Sequence, residues 1–204
     1  LHFFDKKQII VFKATRMSKK KPNQFDVVCE SKEQVSPPLK RKWTQPDKGK
    51  INYNNVISWI KTKLNNDEKD LNLYHLIVGT DSQKRSNKVR FVTIIALYKE
   101  GKGGMYFYTS HLLPKELFGK TKHDKSRIYQ EVEYSIETAN QLMTDVGDQI
   151  IPSIHIDASP KYKKEYTSDI SENLMSLIRS YGFEPCIKPF SFAASSIANK
   201  HSKG

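Results

Sequence analysis

An α/β domain on a mixed five-stranded sheet is what this 204-residue chain predicts. Three observations carry that expectation. Apolar runs of strand length recur, three of them fall consecutively with a glycine-rich connection, and the later ones alternate with amphipathic helical segments. In order, Ile51, Tyr53, Val56, Ile57, Ile60 and Leu64 recur at helical spacing, and Asn65-Asn66-Asp67 closes that segment. Leu73–Thr80 is a short apolar run suited to a buried central strand, and Val89–Tyr98 is a second strand. Gly101-Lys102-Gly103-Gly104 connects it as a hairpin to a third strand over Met105–His111.

A long helix is expected over Lys125–Val146, with Ile128, Val132, Ile136, Ala139, Leu142 and Met143 along one face. Ser153–Asp157 is a fourth strand, and Asp169–Tyr181 is a helix stopped by Gly182. Glu184–Lys188 is a fifth strand, and Phe192–Ser202 a terminal helix rich in Ala and Ser. A three-stranded antiparallel meander followed by alternating helices and strands gives a sheet flanked by helices. That order is the one found in the ribonuclease H-like fold.

Charge divides the chain. Residues 1–50 carry 13 Lys/Arg against 5 Asp/Glu, and residues 51–204 carry 21 against 17, so most of the net +12 sits in the first quarter. With Lys19-Lys20-Lys21-Pro22, Ser36-Pro37-Pro38 and Lys40-Arg41-Lys42, the stretch 1–42 reads as a basic, disordered leader, and 43–204 as the folded domain. Met17 is a candidate initiator, which would make residues 1–16 an extension. A basic leader suits a polyanionic partner, because neutralising phosphates releases counterions. No apolar run approaches the roughly 20 residues a spanning helix needs. The two cysteines, Cys29 and Cys186, are too few for a disulfide framework or a four-cysteine zinc site. The expectation is a cytoplasmic protein with nucleic acid, rather than a membrane, as its partner.

The chemistry-bearing signal is acidic. Asp81 ends the first strand in Gly79-Thr80-Asp81-Ser82-Gln83, and Asp157 ends the fourth in Ile154-His155-Ile156-Asp157. If those strands are neighbours, the two carboxylates lie side by side and repel unless a cation sits between them. Mg²⁺ or Mn²⁺ suits such oxygen ligands. The long helix offers Glu131, Glu133 and Glu137 as a third acid. Glu131 is preferred, because it lies at the margin of the apolar stripe beside Ile128 and Ser135 and faces the sheet. His155 shares a strand face with Asp157 and is placed to approach a substrate phosphate.

These segments resemble the YkuK-like family, a bacterial and phage branch of the ribonuclease H-like superfamily. The resemblance runs from Trp43 to Lys203, through GTDSQ at 79–83, GKGGMYFY at 101–108, RIYQE at 127–131, IHID at 154–157 and KPFSFAASSIANKHSK at 188–203. It implies Asp81, Glu131 and Asp157 as catalytic metal ligands, with a further acid on the terminal helix. That last position reads Ala198-Asn199 here, a neutral amide, so Asn199 completes the implied set. The turn after the fourth strand also departs, reading Asp157-Ala158-Ser159 in place of Asp-Ile-Gly.

By that resemblance two Mg²⁺ or Mn²⁺ ions would serve in-line hydrolysis of a phosphodiester in RNA, an RNA–DNA hybrid or structured DNA. Lys84, Arg85, His155, Lys200 and His201 are the expected nucleic-acid contacts. The Met105-Tyr106-Phe107-Tyr108 strand offers aromatic faces for stacking. The alternative is a catalytically silent module that binds nucleic acid or a protein partner. A small-molecule nucleotide enzyme ranks last, since the chain has no P-loop or GxGxxG signature.

Overall fold

Seven strands, not five, make the sheet in the computed structural model of the chain, which describes residues 40–119, 125–163 and 165–203. Residues 1–39, and Cys29 with them, lie outside that range, so most of the expected leader does too. The two additional strands are β1 (Trp43–Gln45) and β2 (Gly49–Ile51), an antiparallel hairpin hung on the edge of the sheet. Their composition is polar and basic, which hid them. Yet Trp43 is fully buried, Lys42 O accepts from Thr109 Oγ1 at 2.8 Å, and buried Arg41 pairs with Glu137 at 2.6 Å. The fold therefore takes in Arg41 and Lys42, which composition had grouped with the leader.

Helix α1 (Tyr53–Asn66) follows, its Asn52 side chain accepting from the Asn55 N–H at 2.8 Å as an N-cap. The long strands β3 (Tyr74–Lys84), β4 (Lys88–Lys99) and β5 (Gly103–Pro114) form the meander. Helix α2 (Ser126–Val146), β6 (Ser153–His155), α3 (Ser171–Ser180) and β7 (Glu184–Cys186) complete the alternation. The strand order is β2-β1-β5-β4-β3-β6-β7, with β6 parallel to both β3 and β7. The single helix expected over Phe192–Ser202 is in two parts, a π-helical turn at Ala193–Ala198 and then α4 (Asn199–Lys203).

The sheet separates two apolar layers because strand side chains alternate faces. Leu76 and Val78 of β3 join Ile95, Leu97 and Phe107 in a core closed by α1, α2 and α3 through Ile60, Val132, Leu142, Leu174 and Ile178. Ile77, Val92, Ile94 and Ala96 face the other way, onto Ala193 and Ala198 of the terminal segment. That segment approaches closely because Gly79 has no side chain. A Cβ there would stand 2.9 Å from Ala194 N, closer than real Cβ contacts allow, and a tight 3.2 Å from His155 O. No helix among the described residues is long and apolar enough to cross a membrane.

Candidate metal and nucleic-acid site

Both faces of the sheet turn polar at the same end. On the α2 side, Leu76 and Val78 give way to Thr80 and Ser82, and α2 answers with Ser135, Glu131 and Arg127, each four residues from the next. Ser135 Oγ donates to Thr80 Oγ1 at 2.9 Å, and Thr80 Oγ1 lies 3.1 Å from Thr93 Oγ1. Ser82 Oγ donates to Glu131 Oε1 at 2.5 Å, as expected of a helix glutamate facing the sheet. The Arg127 Nη1 amino group donates to Ser82 O, Ser82 Oγ and Glu131 Oε1 at 2.6, 2.6 and 3.0 Å.

Asp81 does not end its strand. It lies within β3, paired with Val92, and the strand runs on to Lys84 because β4 continues the ladder that far. Its side chain faces the terminal segment, where Oδ2 accepts from Ser202 Oγ at 2.6 Å. Asp157 likewise lies two residues past the end of β6 rather than within it, since the ladder to β3 and β7 stops at His155. Gly79↔His155 is the last paired row of β3 and β6, and Asp157 follows as the chain leaves β6 beside the strand that carries Asp81. Lys188 Nζ stands 2.8 Å from Asp157 Oδ1, a buried oxygen that accepts no well-aligned hydrogen bond among the described residues.

The three acids act on one another. Burial lifts Asp81 above the usual carboxylate range; the Ser202 hydroxyl opposes that and the Asp157 charge adds to it. Burial pushes Glu131 up to about 8, against the pull of Arg127 and with further push from Asp81 and Asp157. Each acid therefore has a partner of its own, and among the described residues no three His, Cys, Asp or Glu side chains are arranged as a metal shell. Their chemistry nevertheless fits a hard divalent ion, since all three offer carboxylate oxygens and one of those oxygens lacks a well-aligned donor.

The remaining expected residues spread around this cluster. Asn199 turns its amide back to Ser195 O at 3.3 Å, while its own backbone carbonyl accepts from Ser202 Oγ at 3.1 Å. His155 is held as a neutral ring, Nδ1 accepting from Ala193 N at 3.3 Å and burial lowering its pKa to about 4. His201 stacks on Tyr108 at 3.9 Å, covering one face of that ring, and its Nε2 lies 3.1 Å from Tyr106 Oη. Arg85 donates to Ser202 O and Lys203 O at 3.0 and 2.7 Å, capping the end of α4. Lys84 and Lys200 are exposed. Ser82, Arg127, Lys188 and Ser202 lie inside the motif segments but carry no signal of their own, apart from the four-residue spacing of Arg127 and Glu131.

Residues 55–203 of this chain match the ribonuclease H-like family. The chain belongs to the ribonuclease H-like family. This ribonuclease H-like chain is also 28% identical over 167 residues to a Bacillus subtilis (strain 168) protein named Uncharacterized protein YkuK, an alignment covering 75% of this chain and 92% of that one. This relative supports the YkuK-like resemblance. No solved structure matches.

Proposed function

We propose that this ribonuclease H-like protein is a Mg²⁺- or Mn²⁺-dependent nuclease that hydrolyses phosphodiester bonds at Asp81, Glu131 and Asp157. The observation that carries the reading is the electrostatic influence of three carboxylates, on β3, on α2 and just past β6, on one another: the Asp157 charge raises the proton affinity of both Asp81 and Glu131. Such repulsion is what a divalent cation relieves. Two ions bound there would supply an activated water and stabilise the leaving oxygen of an in-line displacement.

The chain's own residues have definite tasks in this reading. Ser202 and Arg127 hold the Asp81 and Glu131 carboxylates until a cation replaces them, and Lys188 holds Asp157 in the same way. Asn199 adds a neutral carbonyl as a fourth oxygen. Exposed Lys84 and Lys200 meet backbone phosphates, which positions a strand without reading its sequence.

Cleavage of labelled RNA, RNA–DNA hybrid, single-stranded DNA and branched DNA tests this reading. Activity is expected with Mg²⁺ or Mn²⁺, and its loss is expected in both Asp81→Asn and Asp157→Asn. Full activity in either variant removes the site. A second reading, a silent module that binds nucleic acid, draws support from Asn199 and from the cations already beside Glu131 and Asp157. Binding without cleavage of any substrate selects it.

A further inference from the structure

The loop after β7 carries a feature the carboxylate cluster does not use. Phe190 is 75% exposed, an unusual position for a large apolar ring, yet its backbone is pinned on both sides. The Phe190 N–H donates to Ile187 O at 3.0 Å, and Phe190 O accepts from Phe192 N at 2.9 Å. Two residues before it, the Lys188 N–H donates to Ala158 O at 3.0 Å while its ammonium meets Asp157. Two residues after it, Phe192 packs edge-on against His155 at 5.0 Å. The exposed ring is thus strapped at both flanks to the stretch of chain that delivers Asp157.

A second exposed ring leaves the same stretch. Tyr162, 78% exposed, projects from the short helical turn Lys161–Lys163, between two exposed lysines. Aromatic rings set among cations, on backbone that cannot collapse over them, match a strand whose bases are unpaired. The ring faces stack on bases and the ammonium groups meet phosphates. A duplex keeps its bases stacked on one another and offers these rings nothing comparable.

We propose that Phe190, with Tyr162 from the chain that follows Asp157, forms a stacking platform that selects single-stranded or locally unpaired nucleic acid at the Asp157 side of the site. This rests on the nucleic-acid reading above and narrows its substrate class.

The test is binding in EDTA, which separates it from cleavage. The full chain and its Phe190→Ala, Phe190→Leu and Phe190→Trp variants are titrated with a short fluorescent single strand and with the same sequence as a duplex. Phe190→Ala is expected to weaken single-strand binding by about tenfold or more and duplex binding by less than about twofold. Phe190→Leu should behave like Phe190→Ala, and Phe190→Trp like the parent. Equal losses on both substrates, full binding by Phe190→Leu, or no single-strand binding by the parent would each overturn the proposal. Melting curves check that the variants fold. Ring-dependent binding without cleavage removes the nuclease reading and keeps the platform. Cleavage that persists beside ring-independent binding does the reverse.

Discussion

The Ser202 hydroxyl donates a 2.6 Å hydrogen bond to the Asp81 carboxylate across 121 residues of sequence. It ties α4 to strand β3 and makes that helix part of the acidic site. Arg85 reinforces the tie by holding the Ser202 and Lys203 carbonyls. Ser202→Ala should cost about 1–3 kcal/mol, the range for a hydrogen bond to a buried charged group, measured by urea unfolding. The loss should shrink in the Asp81→Asn background, because the two residues share one interaction.

Gly79→Ala should be worse than an ordinary surface change. The new methyl group meets the Ala194 backbone nitrogen at 2.9 Å, and neither strand nor terminal segment can yield freely. A loss of about 1–3 kcal/mol is expected. Cleavage should fall with it, since the shift moves Ser202 off Asp81. Gly104→Ala, whose methyl group would meet Leu97 O at 2.5 Å, provides a destabilised control at the opposite end of the β4–β5 pairing, beside Leu97 and Tyr98. If both variants lose equal activity at equal stability, the terminal segment does not position the site.

Glu131 makes stability depend on pH in a defined direction. Its carboxyl releases a proton near 4.5 when unfolded and near 8 when folded, so folding favours the protonated form. That stability is complete below pH 4.5 and is lost as pH rises through 8. Glu131→Gln keeps the Ser82 and Arg127 hydrogen-bonding partners without the charge. It should therefore melt higher than the parent at pH 8, by up to a few kcal/mol of stability, and about equally at pH 4.5. A parent Tm that does not fall over this range would contradict the assignment. Cleavage by Glu131→Gln should be lost.

His111, two strands from Ser82 in the same cross-strand row, gives the opposite slope. Its ring stacks on Phe91, both nitrogens are buried without a hydrogen-bond partner among the described residues, and burial lowers its pKa to about 3. The folded value lies below the unfolded 6.5, so this stability is full above pH 6.5 and is lost as pH falls toward 3. His111→Phe should remove part of the acid-side loss and leave cleavage unchanged. Melts between pH 4 and 7 provide the check.

Removing residues 1–39, and so keeping the Arg41–Glu137 pair, should flatten the salt dependence of nucleic-acid binding while the domain stays folded. Every phosphate that the leader no longer neutralises lowers the log–log slope by about 0.7–0.9. An unchanged slope would make the basic leader a bystander.

The sequence alone predicted the main helices and five of the seven strands, and it singled out the acids as candidates. Those signals are local: a period of two in β3 and β4, a period near 3.6 in α2, and a carboxylate where an apolar run turns polar. It could not show β1 and β2, because Trp43-Thr44-Gln45 and Gly49-Lys50-Ile51 sit among Lys, Pro and Asp and form no apolar run. Nor could it show what each acid touches. Glu131 and Asp81 lie on opposite faces of β3, one meeting Ser82 and Arg127 and the other Ser202, and only the sheet order and the close approach over Gly79 bring those partners in. Side-chain partners more than a hundred residues apart follow from which elements neighbour one another, a property of the whole packed sheet and of no single segment.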